Sequence, residues 1–310
     1  MANFTNQDVM KLREQTGVGM MDCKKALVET DGNFEEAIKY LREKGMASAA
    51  KKAGRVAAEG LVKCIVSKDG KTAVAVEVNC ETDFVARSDQ FVALVDKIAT
   101  LLLTSNATTV EEVLEKVSCP DCGKTVNVLV AEATAAIGEK ISLRRFTRFQ
   151  LKGKGLISSY IHMGGKIGVL AELQSNAKAA DLTELAFNIC MQIAASKPQV
   201  VNIADVDASQ LEAEKEILTV QARNEGKPEA IIGKMVEGRI HKYYKEVCLL
   251  EQEYVRDSSL SVKQVIAETA KKAGADITVT RFVRYEMGEG IEKRVDNFVD
   301  EIAEQLKSIK

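Results

Sequence analysis

Apolar residues recur at helical spacing in the first 55 residues of the chain and divide this part into three short helices. Thr5 and Asn33 stand where helix N-caps are expected, and the Asn33–Glu36 spacing is that of a capping box. The apolar stripes consist of Val9 and Leu12, of Met20, Cys23 and Leu27, and of Phe34, Ala37, Ile38 and Leu41. A unit this small has a thin core, so the pattern indicates a docking domain more than a catalytic one. The stretch 47–58, rich in alanine and lysine, is interpreted as a linker that is also compatible with a helix.

The middle of the chain contains one hydrophobic pattern twice. Residues 60–71 align without a gap to residues 155–166. Each copy predicts a strand, a turn, a second strand and a helix, the helices lying at about 89–104 and 180–195. A closing strand follows in each copy, at 141–149 and at 277–285. The sequence therefore predicts a duplicated α+β core with small antiparallel sheets.

The second copy is longer than the first because it contains two additional helical segments. Residues 210–224 and 229–247 have helical periodicity, and the Glu-Gly-Lys-Pro sequence between them stops a helix. We expect them to form an antiparallel helical hairpin, a short coiled coil that projects from the core. A projecting arm suits a binding protein better than an enzyme for small molecules.

Charge and cysteine content restrict the function further. The 43 basic and 45 acidic residues give a net charge of −2, which argues against a protein that coats nucleic acid. The seven cysteines are an odd number, most of them in apolar runs, as expected for reduced thiols. With no secretory leader and no apolar stretch of membrane-spanning length, the expectation is a cytoplasmic protein that does not bind membranes.

The segment Thr82-Asp83-Phe84-Val85 follows a predicted strand and places an aromatic residue beside a carboxylate in a connection. Such an aromatic residue either covers a local edge of the core or inserts into a pocket of a partner. The equivalent positions of the second copy are Ala177, Lys178 and Ala179, so the scaffold is repeated and the Asp-Phe pair is not. This asymmetry favours the partner anchor.

Catalytic motifs are incomplete. Residues 70–72 and 123–125 (Gly-Lys-Thr) resemble the end of a phosphate-binding loop, but the first glycine of that motif is replaced by Ile65 or Ser118. We therefore predict that the chain is not an enzyme, has no cofactor and by itself binds no nucleotide or other small molecule. Cys119 and Cys122 have the spacing of a redox pair or of half a zinc site, but no second pair completes a metal site, and two ordinary loop cysteines are the favoured interpretation.

Three further sets of residues have open alternatives. His162 lies near a predicted turn, and the interpretations as an interface contact and as a packed histidine are equally favoured. Met20 and Met21 are consecutive on one helix and cannot both face inward, so one of them is available for docking. The basic strand 144–148 is interpreted as a solvated face, with RNA binding as the minor alternative.

Several long motifs resemble the bacterial elongation factor Ts family, whose members are guanine-nucleotide exchange factors for elongation factor Tu. They are LREQTGVGMMDCKKAL (12–27), VNCETDFVA (78–86), AASKP (194–198), KMVEGR (234–239) and GEGIEK (288–293). The resemblance implies an N-terminal domain similar to ubiquitin-associated (UBA) domains and a C-terminal helical module. The predicted organisation is residues 1–55 for the UBA-like domain with its linker, 56–150 and 151–285 for the two core subdomains, about 209–248 for the hairpin inside the second, and 286–310 for the C-terminal module.

The resemblance also implies roles for particular residues. Thr82, Asp83, Phe84 and Val85 would form the exchange motif, in which the phenylalanine wedges into the GTPase near its Mg²⁺ site so that GDP leaves. The residues implied for other contacts with elongation factor Tu are Arg13, Met20 and Met21 in the N-terminal domain and His162 in the core. Two features depart from the family pattern, Met10 in place of a lysine and the segment that contains Cys119 and Cys122. The alternatives are an adaptor that only holds its partner and, more remotely, a thiol enzyme that uses these two cysteines.

Overall fold

The computed structural model describes residues 3–292, in which helices and small antiparallel sheets give an α+β fold. The helices are α1 (Asn6–Thr16), α2 (Met20–Glu29), α3 (Phe34–Lys52), α4 (Asp83–Ala86), α5 (Asp89–Thr104), α6 (Val110–Lys116), α7 (Val126–Ile137), α8 (Ala179–Ser196), α9 (Ala208–Asn224), α10 (Glu229–Val247) and α11 (Val262–Ala273). The strands are β1 (Glu59–Val66), β2 (Thr72–Cys80), β3 (Ser142–Gln150), β4 (Gly155–His162), β5 (Ile167–Ser175), β6 (Glu253–Tyr254), β7 (Asp257–Ser261) and β8 (Ile277–Glu286).

Helices α1 to α3 pack around a small apolar cluster. Thr5 caps α1 in a reciprocal capping box with Asp8, and the Asn33 side chain accepts the backbone N–H of Glu36 at the start of α3. The expectation that Met20 belongs to the apolar stripe of α2 is wrong. Met20 and Met21 are 40% and 75% exposed. The other two residues of the predicted stripe, Cys23 and Leu27, are buried as expected, together with Ala26.

The first half of the predicted linker is helical. Helix α3 continues without a break to Lys52 and packs against α7. A Cβ atom on Gly45 would lie 3.4 Å from the Cβ atom of Ala135, so small residues on both helices let their backbones approach closely. The helical alternative for the predicted linker is therefore confirmed for residues 47–52, which continue α3.

The two copies of the predicted repeat form two three-stranded sheets within residues 3–292, with strand orders β1-β2-β3 and β4-β5-β8. All the pairings in them are antiparallel, and each sheet has an irregularity at the same place, after Glu77 in one copy and after Glu172 in the other. Helix α5 covers the first sheet and α8 the second. The opposite faces pack on each other through a third cluster that includes Val62, Ile157 and Leu170.

A glycine lies within the first two residues of the edge strands β1 and β4, because a side chain there would clash with the neighbouring strand. Gly155 has φ +151, and a Cβ atom on it would lie 2.0 Å from the carbonyl oxygen of Leu173. Gly60, at the same position of the first copy, would approach the carbonyl oxygen of Val78 to 2.2 Å.

We expect Gly155→Ala to lower the free energy of unfolding by about 2–3 kcal/mol, because the strained backbone and the clash have to be relieved by moving strand backbone. The matched control is Gly153→Ala, at a residue that also has a positive φ (+95) but has open space around it. Urea denaturation of both variants measures the difference. Equal effects of the two substitutions would contradict the backbone clash.

The interpretation of the basic strand as a solvated face is wrong. Arg144 Nη1 lies 2.9 Å and Arg145 Nε lies 2.5 Å from the carboxylate of Glu77, a residue with 0% exposure on β2. Arg281 makes the same kind of pair with the buried Glu172 in the second copy. The arginines are therefore drawn toward the sheet by buried carboxylates that need positive partners.

The additional helices of the second copy lie side by side. Helices α9 and α10 contact each other and are joined by residues 225–228. Ion pairs lie near this turn, with 2.8 Å between Arg239 Nη2 and Glu225 Oε2 and 2.7 Å between Arg223 Nε and Glu229 Oε1. Among residues 3–292 no helix has the length and apolar character needed to cross a membrane. Most of the C-terminal module predicted at 286–310 lies outside the described residues, which include only the end of β8 and a turn after it.

Candidate functional site

The segment 82–85 turns the chain out of β2 into a single helical turn. Strand β2 ends at Cys80, and α4 begins at Asp83. Thr82 has an extended backbone and caps α4, since its hydroxyl oxygen accepts the backbone N–H of Val85 at 3.3 Å. Val85 packs against the apolar cluster under the first sheet. Thr82 and Val85 thus fix the two ends of the segment, and between them Asp83 is partly exposed and Phe84 is exposed.

Phe84 is 84% exposed, the largest exposed fraction among the large apolar side chains of the described residues. The interpretation of this residue as a local plug is therefore excluded. Asp83 forms an ion pair with Arg87 one turn later, at 3.1 Å between Oδ2 and Nη2. A rigid base with a solvent-exposed aromatic ring is the arrangement of an anchor for a partner pocket.

Glu139, from the loop after α7, holds the backbone immediately before the exposed pair. Its carboxylate accepts three hydrogen bonds, from the N–H of Glu81 at 3.1 Å, the N–H of Thr82 at 3.0 Å and the Thr82 hydroxyl at 2.7 Å. Sequence reasoning missed this residue. Glu139 is 57 residues from Thr82 along the chain, and a glutamate after a helix end has no local signature.

A second carboxylate ties the same segment to the linker. Glu81 Oε1 accepts the N–H of Lys140 at 2.6 Å and lies 3.2 Å from Arg55 Nη1. The Lys140 ammonium in turn donates to the carbonyl oxygen of Arg55 at 2.8 Å. The segment below Phe84 is thereby connected to β2, to the loop after α7 and to the chain that leaves α3.

The other residues predicted to bind a partner lie on separate parts of the fold. Arg13, Met20 and Met21 are exposed on α1 and α2. His162 is exposed at the end of β4, where its Nδ1 atom lies 2.9 Å from the hydroxyl of Tyr160. The structure thus does not gather the predicted residues into one site.

A cavity of about 550 Å³ lies between α4 and the turn after β4. Its lining includes Ala86 of α4, Arg87 directly after that helix, Ile161 of β4 and Gly164 of the turn after β4. The cavity therefore lies beside both α4 and the turn after His162, which belong to different copies of the repeat, but neither Phe84 nor His162 lines it.

Metal-binding chemistry has little support in residues 3–292, where no group of three or more histidine, cysteine, aspartate or glutamate side chains could hold a metal ion. All seven cysteines are free thiols, and Cys122 alone among them is exposed. The chemistry visible in the described residues is that of an exposed aromatic side chain on a segment held by hydrogen bonds.

Comparisons with known proteins find one named family over most of the chain. Residues 81–289 match the family model described as "Elongation factor TS". The chain is 55% identical over 301 residues to a protein named "Elongation factor Ts" from Clostridium perfringens (strain SM101 / Type A), covering 97% of this chain and 98% of that protein. A protein of the same name from Clostridium botulinum (strain Alaska E43 / Type E3) is 52% identical over 300 residues, covering 97% of this chain and 98% of that protein. Another from Clostridium kluyveri (strain NBRC 12016) is 50% identical over 304 residues, covering 98% of this chain and 99% of that protein.

Proposed function

This chain belongs to the elongation factor Ts family, and we propose that it binds the GTPase elongation factor Tu and promotes the release of GDP during translation elongation. The observation that supports this most is the exposure of Phe84 on a segment fixed by Thr82, Val85 and Glu139. Because the backbone below Phe84 is already held, less of the binding energy is needed to order this segment when it meets a partner.

In the proposed mechanism, Phe84 inserts between side chains of the GTPase close to its Mg²⁺ ion, and Asp83 adds a negative charge beside it. Mg²⁺ requires nearly octahedral coordination at about 2.1 Å, so a small displacement of its ligands weakens its binding. Phosphate binding by backbone N–H groups also depends on their orientation. GDP then dissociates without any covalent step.

The remaining predicted contacts would hold the partner while the wedge acts. In our proposal Arg13, Met20 and Met21 on the UBA-like domain contact the GTPase domain, and His162 contacts a more distant domain of elongation factor Tu. Their separation on this fold fits a partner that is itself extended over several domains. The hairpin of α9 and α10 has no assigned partner in this proposal.

An adaptor that binds elongation factor Tu without acting on its nucleotide is the alternative, and linkage distinguishes the two. Whatever factor the chain removes from the affinity for GDP, GDP must remove from the affinity for the chain. Titration calorimetry of the chain with elongation factor Tu, nucleotide-free and GDP-bound, measures this factor. The proposal predicts at least about tenfold weaker binding to the GDP-bound form, whereas an adaptor would bind both forms equally.

We expect Glu139→Ala to slow exchange about tenfold, because the loss of three hydrogen bonds to one carboxylate lets the segment below Phe84 move. Glu139→Gln should recover part of the rate, since its amide oxygen still accepts hydrogen bonds. Glu111→Ala, at an exposed glutamate of α6, is the matched control. An exchange rate of Glu139→Ala equal to that of this control would contradict the positioning role.

A further inference from the structure

The chain forms a tight, hydrogen-bonded turn at Cys119 and Cys122. The N–H of Cys119 donates to the carbonyl oxygen of Lys124, and the N–H of Gly123 donates back to the carbonyl oxygen of Cys119, both at 2.8 Å. Gly123 has φ +66, a conformation that favours glycine, and closes the turn. In such a turn the Cα atoms three positions apart lie within about 7 Å, close to the separation that a disulfide spans.

The two thiols have different surroundings. Cys119 is 1% exposed and belongs to the apolar cluster under the first sheet, whereas Cys122 is exposed. The Cys122 thiol, the backbone N–H groups of Cys122 and Asp121, and the Lys97 ammonium of α5 all favour the thiolate form of Cys119 and lower the pKa of its thiol. One of the groups that favour this thiolate is therefore the second cysteine.

This environment differs from that of the other buried cysteines. Burial raises the pKa of Cys64, Cys80 and Cys190 to about 12, so these thiols stay protonated and unreactive. The hydrogen bond from Cys122, supported by the N–H donors and Lys97, lowers the pKa of the Cys119 thiol from its ordinary value.

We propose that Cys119 and Cys122 are a reversible thiol–disulfide pair that reacts with low-molecular-weight disulfides. The accessible thiolate of Cys122 attacks one sulfur of the small disulfide, forms a mixed disulfide and releases one small thiolate. The Cys119 thiolate, held beside Lys97, then attacks the Cys122 sulfur, forms the internal disulfide and releases the second small thiolate. The protein loses two electrons and two protons, and the small disulfide is reduced to two thiols.

The location of Cys122 gives this second step a physical consequence. Cys122 lines a cavity of about 260 Å³ whose other lining residues include Thr16 at the end of α1, Val18 after it, and Leu41 of α3. An adduct on Cys122 would protrude between the N-terminal helices and the core, whereas a disulfide to Cys119 adds no atoms there. When Cys119 displaces the adduct from Cys122, the N-terminal helices can keep their packing against the core under oxidising conditions.

The test is to incubate the reduced full-length chain with oxidised glutathione and to follow its intact mass and the alkylation of each cysteine. The wild-type chain should lose the thiols of Cys119 and Cys122 with no stable adduct. Cys119→Ser should accumulate one glutathione on residue 122. Cys122→Ser, changed at an exposed position, should remain fully reduced, and circular dichroism checks that both variants fold.

Lys97→Met tests whether the Lys97 ammonium promotes the reaction of Cys119, and it leaves both cysteines in place. Without its ammonium donor a smaller fraction of Cys119 is thiolate, so the mixed disulfide should persist roughly tenfold longer than in the wild-type chain. Two results would overturn the proposal. One is a stable glutathione adduct on the wild-type chain. The other is retention of both thiols when all the glutathione in the solution is in its oxidised form.

Discussion

Phe84→Ala is expected to lower the rate of GDP release from elongation factor Tu by about 30-fold or more, because removal of a central anchor costs about 2 kcal/mol or more. The side chain is 84% exposed, so the substitution removes little packing within the chain itself. The unfolding midpoint should therefore remain that of the wild-type chain. Stopped-flow release measured over a range of chain concentrations gives the maximal rate and the concentration for half of it.

The two parameters distinguish a wedge from a simple contact. A residue that acts in the transition state lowers the maximal rate, whereas a residue that only binds raises the concentration needed to reach it. Val220→Ala, at an exposed apolar residue of the hairpin helix α9, is the control. A maximal rate for Phe84→Ala that equals that of the control would contradict the wedge.

Glu77→Ala is expected to lower the free energy of unfolding by about 3–5 kcal/mol, because it leaves two arginines without the buried carboxylate they bind. The Glu77 carboxylate also accepts the backbone N–H of Gly288 at 2.8 Å and so holds the chain after β8 against the first sheet. Urea denaturation followed by circular dichroism measures the loss. The effect should include looser packing between the two copies of the repeat.

Two further variants separate charge from hydrogen bonding at this position. Glu77→Gln keeps the shape and an acceptor oxygen, and should cost less than Glu77→Ala. Glu268→Ala removes an exposed glutamate from α11 and should change stability by no more than about 0.5 kcal/mol. A loss for Glu77→Ala no greater than that of Glu268→Ala would show that the buried ion pairs do not stabilise the fold.

Patterns local in sequence gave reliable predictions of elements. The alignment of residues 60–71 with 155–166 predicted strands that occur in both sheets, and the helix predicted at about 89–104 is α5 (Asp89–Thr104). These elements follow from side-chain periodicity and turn residues, which act over a few positions. The absence of the Asp-Phe pair from the second copy likewise argued against a structural role for Phe84, and this side chain is exposed in the structure.

Predictions that depend on distant partners were wrong or missing. The strand with Arg144 and Arg145 looked solvated because nothing near it in sequence indicates the buried Glu77. Residues 47–52 were expected to form a linker or a helix, and their packing partner α7 was missing from that expectation because it lies about 80 positions away. Glu139 was missed for the same reason. Long-range ion pairs and close helix contacts are set by tertiary structure, which a periodic pattern does not encode.

Exchange activity is measured directly by stopped-flow release of a fluorescent GDP analogue from elongation factor Tu, with and without the chain. If the chain is an exchange factor, the release rate rises steeply with the concentration of the chain and reaches a plateau. A release rate that stays at its spontaneous value while binding is demonstrated in the same solution would contradict exchange activity and leave a protein that only holds its partner.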